Sequence, residues 1–248
     1  MSTDRTRINF RVYGLEFCRM LGAVGLFQAT PRDSDVYSQV RCVAGTGGLS
    51  MYALNLRAAA AGHVDIEHED GAGMFSIPSV HVKGILAIFK RKLPKERGED
   101  EYVLEVTVTE RAITIADVSE LFAGDVLTVT VQEPLVEHGD EPESEAIRRT
   151  AIVVQKAIEE GRAKADLTAG YTMNPVEVGR VAKAAQLLGV VMEQWPLGRT
   201  MVIPLGDSFT ATLMLGKAAD DEERPLQGER TISEWRSRLE DFIDHGVI

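Results

Sequence analysis

The chain has 248 residues, 44% of them hydrophobic and 26% charged, and its 38 acids against 27 lysines and arginines leave a net charge of -11. That composition supplies a substantial core for one large or two ordinary domains. It excludes a protein that grips nucleic acid over its whole surface, because phosphate contacts dominate such binding. Two cysteines, Cys18 and Cys42, make no disulfide framework and have no metal-ligand spacing, which suits structural thiols in a reducing compartment. The N-terminal MSTDRTRINF has no signal-like apolar run, and no stretch approaches the roughly 20 apolar residues of a membrane span. The expected location is therefore the cytoplasm, away from membranes.

In chain order, residues 7–13 (RINFRVY) alternate as a strand does. Residues 15–27 have helical spacing, with Leu15, Cys18, Leu21, Gly22 and Gly25 toward packing partners. A loop around Pro31 precedes a predicted hairpin of residues 36–44 and 49–58, turned at Gly45-Thr46-Gly47-Gly48. Residues 63–68 (HVDIEH) alternate as a strand that ends in the turn Glu69-Asp70-Gly71, and residues 74–77 feed a helix starting near Pro78, a first-turn proline. In that helix Val82, Ile85, Leu86, Phe89 and Leu93 make one apolar face. The stretch 78–97 also holds six basic residues against the single acid Glu96, an excess that a solvated helix with cations near its C-terminus would explain by itself.

Residues 102–108 and 112–117 predict another hairpin and residues 125–132 a further strand, so the first part of the chain is α+β with antiparallel sheet. Residues 133–143 (EPLVEHGDEPE), rich in proline and acids, mark a boundary between a first unit at 1–132 and a second at 144–217. Residues 144–164 are helical in pattern. Residues 171–173 look strand-like, and Asn174 is a plausible cap for a helix in which Val178, Val181, Ala185 and Leu188 face inward. Residues 200–204 and 208–215 predict a hairpin around Leu205-Gly206-Asp207. Residues 218–248 are an acidic loop and an amphipathic helix (TISEWRSRLEDFIDHGVI) with Ile232, Trp235, Leu239, Phe242 and Ile243 on one stripe. The acids are unevenly spread: residues 98–145 hold fourteen against the single Arg111.

Catalytic signals are weak. The glycine turn lacks the lysine and spacing of a phosphate loop. His63 and His68 fall on opposite faces of a strand, so with Asp65 and Glu67 they suggest a solvated edge and no metal site. Ser50, Ser208 and Ser233 sit in no nucleophile elbow. No cofactor, metal or enzymatic activity is expected.

The segments at Pro78 and Pro175 share an order of short strand, proline, basic amphipathic helix and hairpin, as two copies of one architecture would. With these segments, SIPSVHVKGILAIFKRKLP followed by YVLEVTVTERAITIADV and MNPVEVGRVAKAAQLLG followed by MVIPLGDSFTATLML, the chain resembles the sliding-clamp family, the bacterial DNA polymerase III beta subunit and its shorter relatives. The resemblance implies a DNA-clamp fold of two pseudo-repeated domains, helices toward DNA and sheets outside. It implies a ring that closes, for a two-domain chain, as a homotrimer. It also implies non-specific binding of double-stranded DNA through the backbone, with a DNA polymerase and a clamp loader as protein partners.

The residues expected to face DNA are Lys83, Lys90, Arg91, Lys92, Arg149, Lys156, Arg180 and Lys183, with Arg19 and Arg148 beside them. By the same resemblance a client pocket would be apolar and near the junction of the units. Leu135, Val136, Met201, Ile203 and Met214 are its candidates, with a core strand as the other role for the last three. The second unit is short for such a domain and the C-terminal helix is extra. A clamp-like interaction protein that regulates a replication complex without encircling DNA is the alternative reading, and an unrelated α+β enzyme a third.

Overall fold

The computed structural model describes residues 8–32, 37–45, 47–55, 57–90, 102–119, 124–130, 173–197 and 200–215. Strand β1 (Ile8–Tyr13) shows how local sequence builds the sheets: Ile8, Phe10 and Val12 are buried, while Asn9 and Arg11 point the other way. Across the antiparallel ladder to β7 (Val103–Val108), Asn9 Nδ2 donates to Thr107 Oγ1 at 2.9 Å and Arg11 lies 3.6 Å from Glu105. The period of two thus sends apolar side chains inward and pairs the polar ones outside. With β5 (Glu67–Asp70), β8 (Ala112–Asp117) and β9 (Val126–Thr130), these strands form a five-stranded sheet in the order β5, β1, β7, β8, β9.

The second sheet has seven strands. They are β2 (Gln39–Gly45), β3 (Gly48–Leu54), β4 (Ala58–Val64), β6 (Gly73–Pro78), β10 (Trp195–Leu197), β11 (Thr200–Pro204) and β12 (Phe209–Met214), in the order β10, β11, β12, β4, β3, β2, β6. The step from β12 to β4, running from Phe209 opposite Gly62 to Leu213 opposite Ala58, joins the two halves of the chain in one ladder.

Among the described residues three helices cover the sheets: α1 (Gly14–Gly25), α2 (Ser79–Phe89) and α3 (Pro175–Leu188). Helix α1 lies on β1 to β4, and both other helices pack against it. A Cβ built on Gly22 would sit 3.6 Å from Leu86 Cδ1 of α2 and 3.8 Å from Leu187 Cδ1 of α3, so a glycine of α1 is where the two neighbours approach. One hydrophobic cluster runs through everything described, taking Phe17, Leu21 and Val24 from α1, Ile85 and Phe89 from α2, Val181 and Ala184 from α3 and Ile203 and Leu213 from the last strands. The Phe27 and Phe209 rings, 6.1 Å apart, tie the end of α1 to β12. The chain is α+β, as its pattern predicts.

Several boundaries move. The expected strand at 49–58 stops at Leu54, and a separate central strand, β4, begins at Ala58. Its AAAAGHV run is a poor strand signal, and packing decides instead: a Cβ on Gly62 would collide with Met20 and Val24 of α1, so small residues are what this crossing admits. The expected strand at 63–68 is divided between the end of β4 and the start of β5. Helix α2 ends at Phe89 and not at Leu93, and Pro78 is the last residue of β6, at the cap position of the helix. Ahead of Pro175, Met173 and Asn174 lie in no strand. Strand β10 was not anticipated. The expected linker at 133–143, the helix at 144–164 and the C-terminal helix lie outside the described residues.

Candidate nucleic-acid interface

Helix α2 buries Val82, Ile85 and Phe89 and leaves Lys83, Gly84, Ala87 and Lys90 exposed, with Val80 also out. Its end is well defined. The Lys90 N–H donates to Leu86 O at 3.1 Å, and the Tyr102 hydroxyl, arriving at the head of β7, donates to Phe89 O at 2.9 Å. That buried bond satisfies a carbonyl that the last turn would otherwise leave orphaned. Lys90 stands at the negative end of the helix dipole, where a cation is favoured.

Helix α3 follows its sequence signals closely. The Asn174 side chain accepts from the Val176 N–H at 2.9 Å, Pro175 opens the first turn, and Gly189 closes the helix at φ 71° with its N–H on Ala185 O. The left-handed φ is why glycine stands there. Val181 and Ala185 face inward as expected, Val178 and Leu188 are half-buried, and Gly179, Ala182, Lys183 and Gln186 form the exposed stripe. Lys83, Lys90 and Lys183 have no ion-pair partner among the described residues. On the two helices that flank α1, these lysines are set among exposed small residues, Gly84 and Ala87 on α2 and Gly179 and Ala182 on α3.

Arg180 is placed differently. Its side chain is 26% exposed, with Nη1 3.3 Å from Oε2 of Glu177, one turn earlier on α3. Glu177 is buried at 6% exposure and is also reached by Asn55 Nδ2 at 3.4 Å. Asn55 is a junction in its own right. Its Nδ2 donates to Phe27 O at 3.3 Å, and its Oδ1 accepts from the Arg57 and Ala58 N–H groups at 2.8 and 2.9 Å. Nothing in the sequence pattern singled out Asn55 or Glu177. The spacing from Asn174 to Glu177 is that of a capping box, a local signal, and the glutamate instead turns to Asn55 and Arg180.

Arg19 is half-buried on α1 and engaged within the protein. Arg91, Lys92, Arg148, Arg149, Lys156, Leu135 and Val136 lie outside the described residues. Of the apolar candidates, Met201 and Ile203 sit in the core at 6% and 3% exposure and offer no surface, because β11 is covered by the cluster beneath it; Met214, at 61%, is open. On the sheet, Ser50 and His63 lie side by side on β3 and β4 at 3.1 Å, with Asp65 at 3.9 Å from the ring. Among the described residues no three His, Cys, Asp or Glu side chains gather as metal ligands would, and no helix is long and apolar enough to cross a membrane. Burial raises the Cys18 thiol to about 12 and the Cys42 thiol still further, against the weaker opposing pull of Lys90 and Arg41.

Two antiparallel sheets, one of them continued from the first half of the chain into the second through β4 and β12, are covered by a layer of helices, and this is a sliding-clamp architecture. Solved structures share it. The DNA polymerase III beta subunit of Thermotoga maritima superposes with a TM-score of 0.56 at 13% identity, covering 91% of this chain and 68% of that one. A DnaN sliding clamp from Bartonella birtlesii gives 0.55 at 15%, covering 94% and 74%. The DnaN sliding clamp of Pseudomonas aeruginosa bound to griselimycin gives 0.53 at 15%, covering 90% and 67%. The chain therefore has the sliding-clamp fold, at identities where fold is what is shared. No family model and no curated protein matches the sequence.

Proposed function

We propose that this protein is a DNA sliding clamp, a non-catalytic processivity factor that encircles duplex DNA and tethers a replicative polymerase. The observation that carries the reading is the clamp fold together with exposed Lys83, Lys90 and Lys183 on its helix layer, unpaired among the described residues, in a chain whose overall charge is -11. A topological tether needs a lining that attracts phosphates without reading bases. Lysines scattered among glycine and alanine meet that need, and acidic surroundings keep DNA off other faces. The lining would be completed by Arg91, Lys92, Arg149 and Lys156, and a client pocket by Met214 with Leu135 and Val136.

A chain that covers about two thirds of a beta subunit closes a six-domain ring with three copies. The edge of β9 supports such an assembly: among the described residues no strand lies beyond it, and Val126 there is 58% exposed. Free sheet edges invite pairing with another chain. Sedimentation equilibrium at micromolar concentration tests this, with three 27.2 kDa chains as the expected particle. A monomer alone would refute ring closure and leave the clamp-like protein that regulates a replication complex without encircling DNA.

A further inference from the structure

We infer that Glu177 holds Arg180 as a masked cation, so that α3 offers a polyanion one free positive charge, Lys183, and not two. The inference rests on the reading of the helix layer as the DNA-facing surface, and it adds a limit on how strongly that surface grips. Arg180 and Lys183 are neighbours three residues apart on one helix, yet their surroundings differ. Lys183 is exposed and free of any ion pair among the described residues. Arg180 is drawn down until its Nη1 reaches 3.3 Å from the buried Glu177 carboxylate.

Burial explains the direction of the pull. Glu177 is removed from water, and among the described residues its carboxylate receives only the long 3.4 Å contact from Asn55 apart from Arg180. A buried carboxylate without a counter-charge is strongly unfavourable, so Glu177 retains the guanidinium. The retention is incomplete, because Arg180 Nη1 is buried and makes no hydrogen bond despite its closeness to Glu177. The Arg180 side chain is still 26% exposed, so with Glu177 replaced by a neutral residue the guanidinium can swing outward and take a phosphate oxygen. For a protein that must slide, one phosphate contact fewer is an advantage: each contact steepens the dependence of log K on log salt by about 0.9, roughly eightfold in affinity at 0.1 M salt.

Two measurements on the full chain test this. The first is salt-dependent binding to a short linear duplex by the wild type, Glu177→Gln and the Glu177→Gln/Arg180→Gln double variant. Masking predicts a slope steeper by about 0.9 and affinity about eightfold higher at 0.1 M salt for Glu177→Gln, with the double variant returning to wild type. An unchanged slope in Glu177→Gln overturns the inference, and so does a double variant shallower than wild type, which would show Arg180 already on a phosphate. The second needs neither DNA nor a variant. Phenylglyoxal modification followed by mass spectrometry should find wild-type Arg180 protected relative to Arg11, whose side chain is 44% exposed. Equal reactivity refutes masking whatever the DNA result. Protection of Arg180 in a protein that binds no duplex would overturn the DNA reading and leave the masking in place.

Discussion

Replacing Lys83, Lys90 and Lys183 together by Gln isolates the electrostatic part of the proposed DNA interface. All three are exposed and have no ion-pair partner among the described residues, so each substitution should change stability by no more than about 0.5 kcal/mol. If each lysine neutralises one phosphate, removing three contacts lowers the slope of log K against log salt by about 2.7. At 0.1 M salt that is roughly 500-fold in affinity for a short linear duplex, about 3.7 kcal/mol. Fluorescence anisotropy across a salt series, run beside thermal denaturation of the same variants, separates the two effects. A slope unchanged from wild type in a folded variant would refute the placement of these lysines at the phosphates. A large drop in melting temperature would show instead that the lysines are structural.

Ile85, fully buried where α2 meets the common cluster, should cost about 2–5 kcal/mol when truncated to Ala, read by denaturant unfolding. Asn174→Ala removes the side-chain acceptor for the Val176 N–H and should cost about 1 kcal/mol, with hydrogen exchange rising in the first turn of α3 before anywhere else. The thiols predict an alkaline limit. Cys18 is raised from 9.0 to about 12 and Cys42 is raised too, so the unfolded chain loses these protons first. Their contribution is full below pH 9 and falls as pH rises through the interval to the folded values. Denaturant midpoints should decline above pH 9 in the wild type and decline less in a Cys18→Ala/Cys42→Ala variant; parallel declines would contradict the buried-thiol account.

The elements that the sequence predicts well are those whose signals are local. Residues 112–117 alternate and become β8 at those same bounds, and Asn174, Pro175 and Gly189 bracket α3 as caps should. The misses are tertiary. A run of alanines makes a central strand because α1 crosses it at Gly62, a fact set by Met20 and Val24 from another part of the chain. Periodicity extends α2 to Leu93, whereas Tyr102, thirteen residues further along the chain, caps Phe89. The exposed positions of Lys83, Lys90 and Lys183 were legible from helix spacing alone. The fate of Arg180 was not, because its partner Glu177 is fixed by Asn55, far away in sequence. Met201 and Ile203 carry the residue types of a pocket and the burial of a core strand.

The central claim is topological, and retention on nicked circular duplex DNA tests it most directly. The protein, loaded with a clamp loader and washed at high salt, should stay on the circle and be lost when a restriction enzyme linearises it. Equal loss from circular and linear DNA would contradict encirclement.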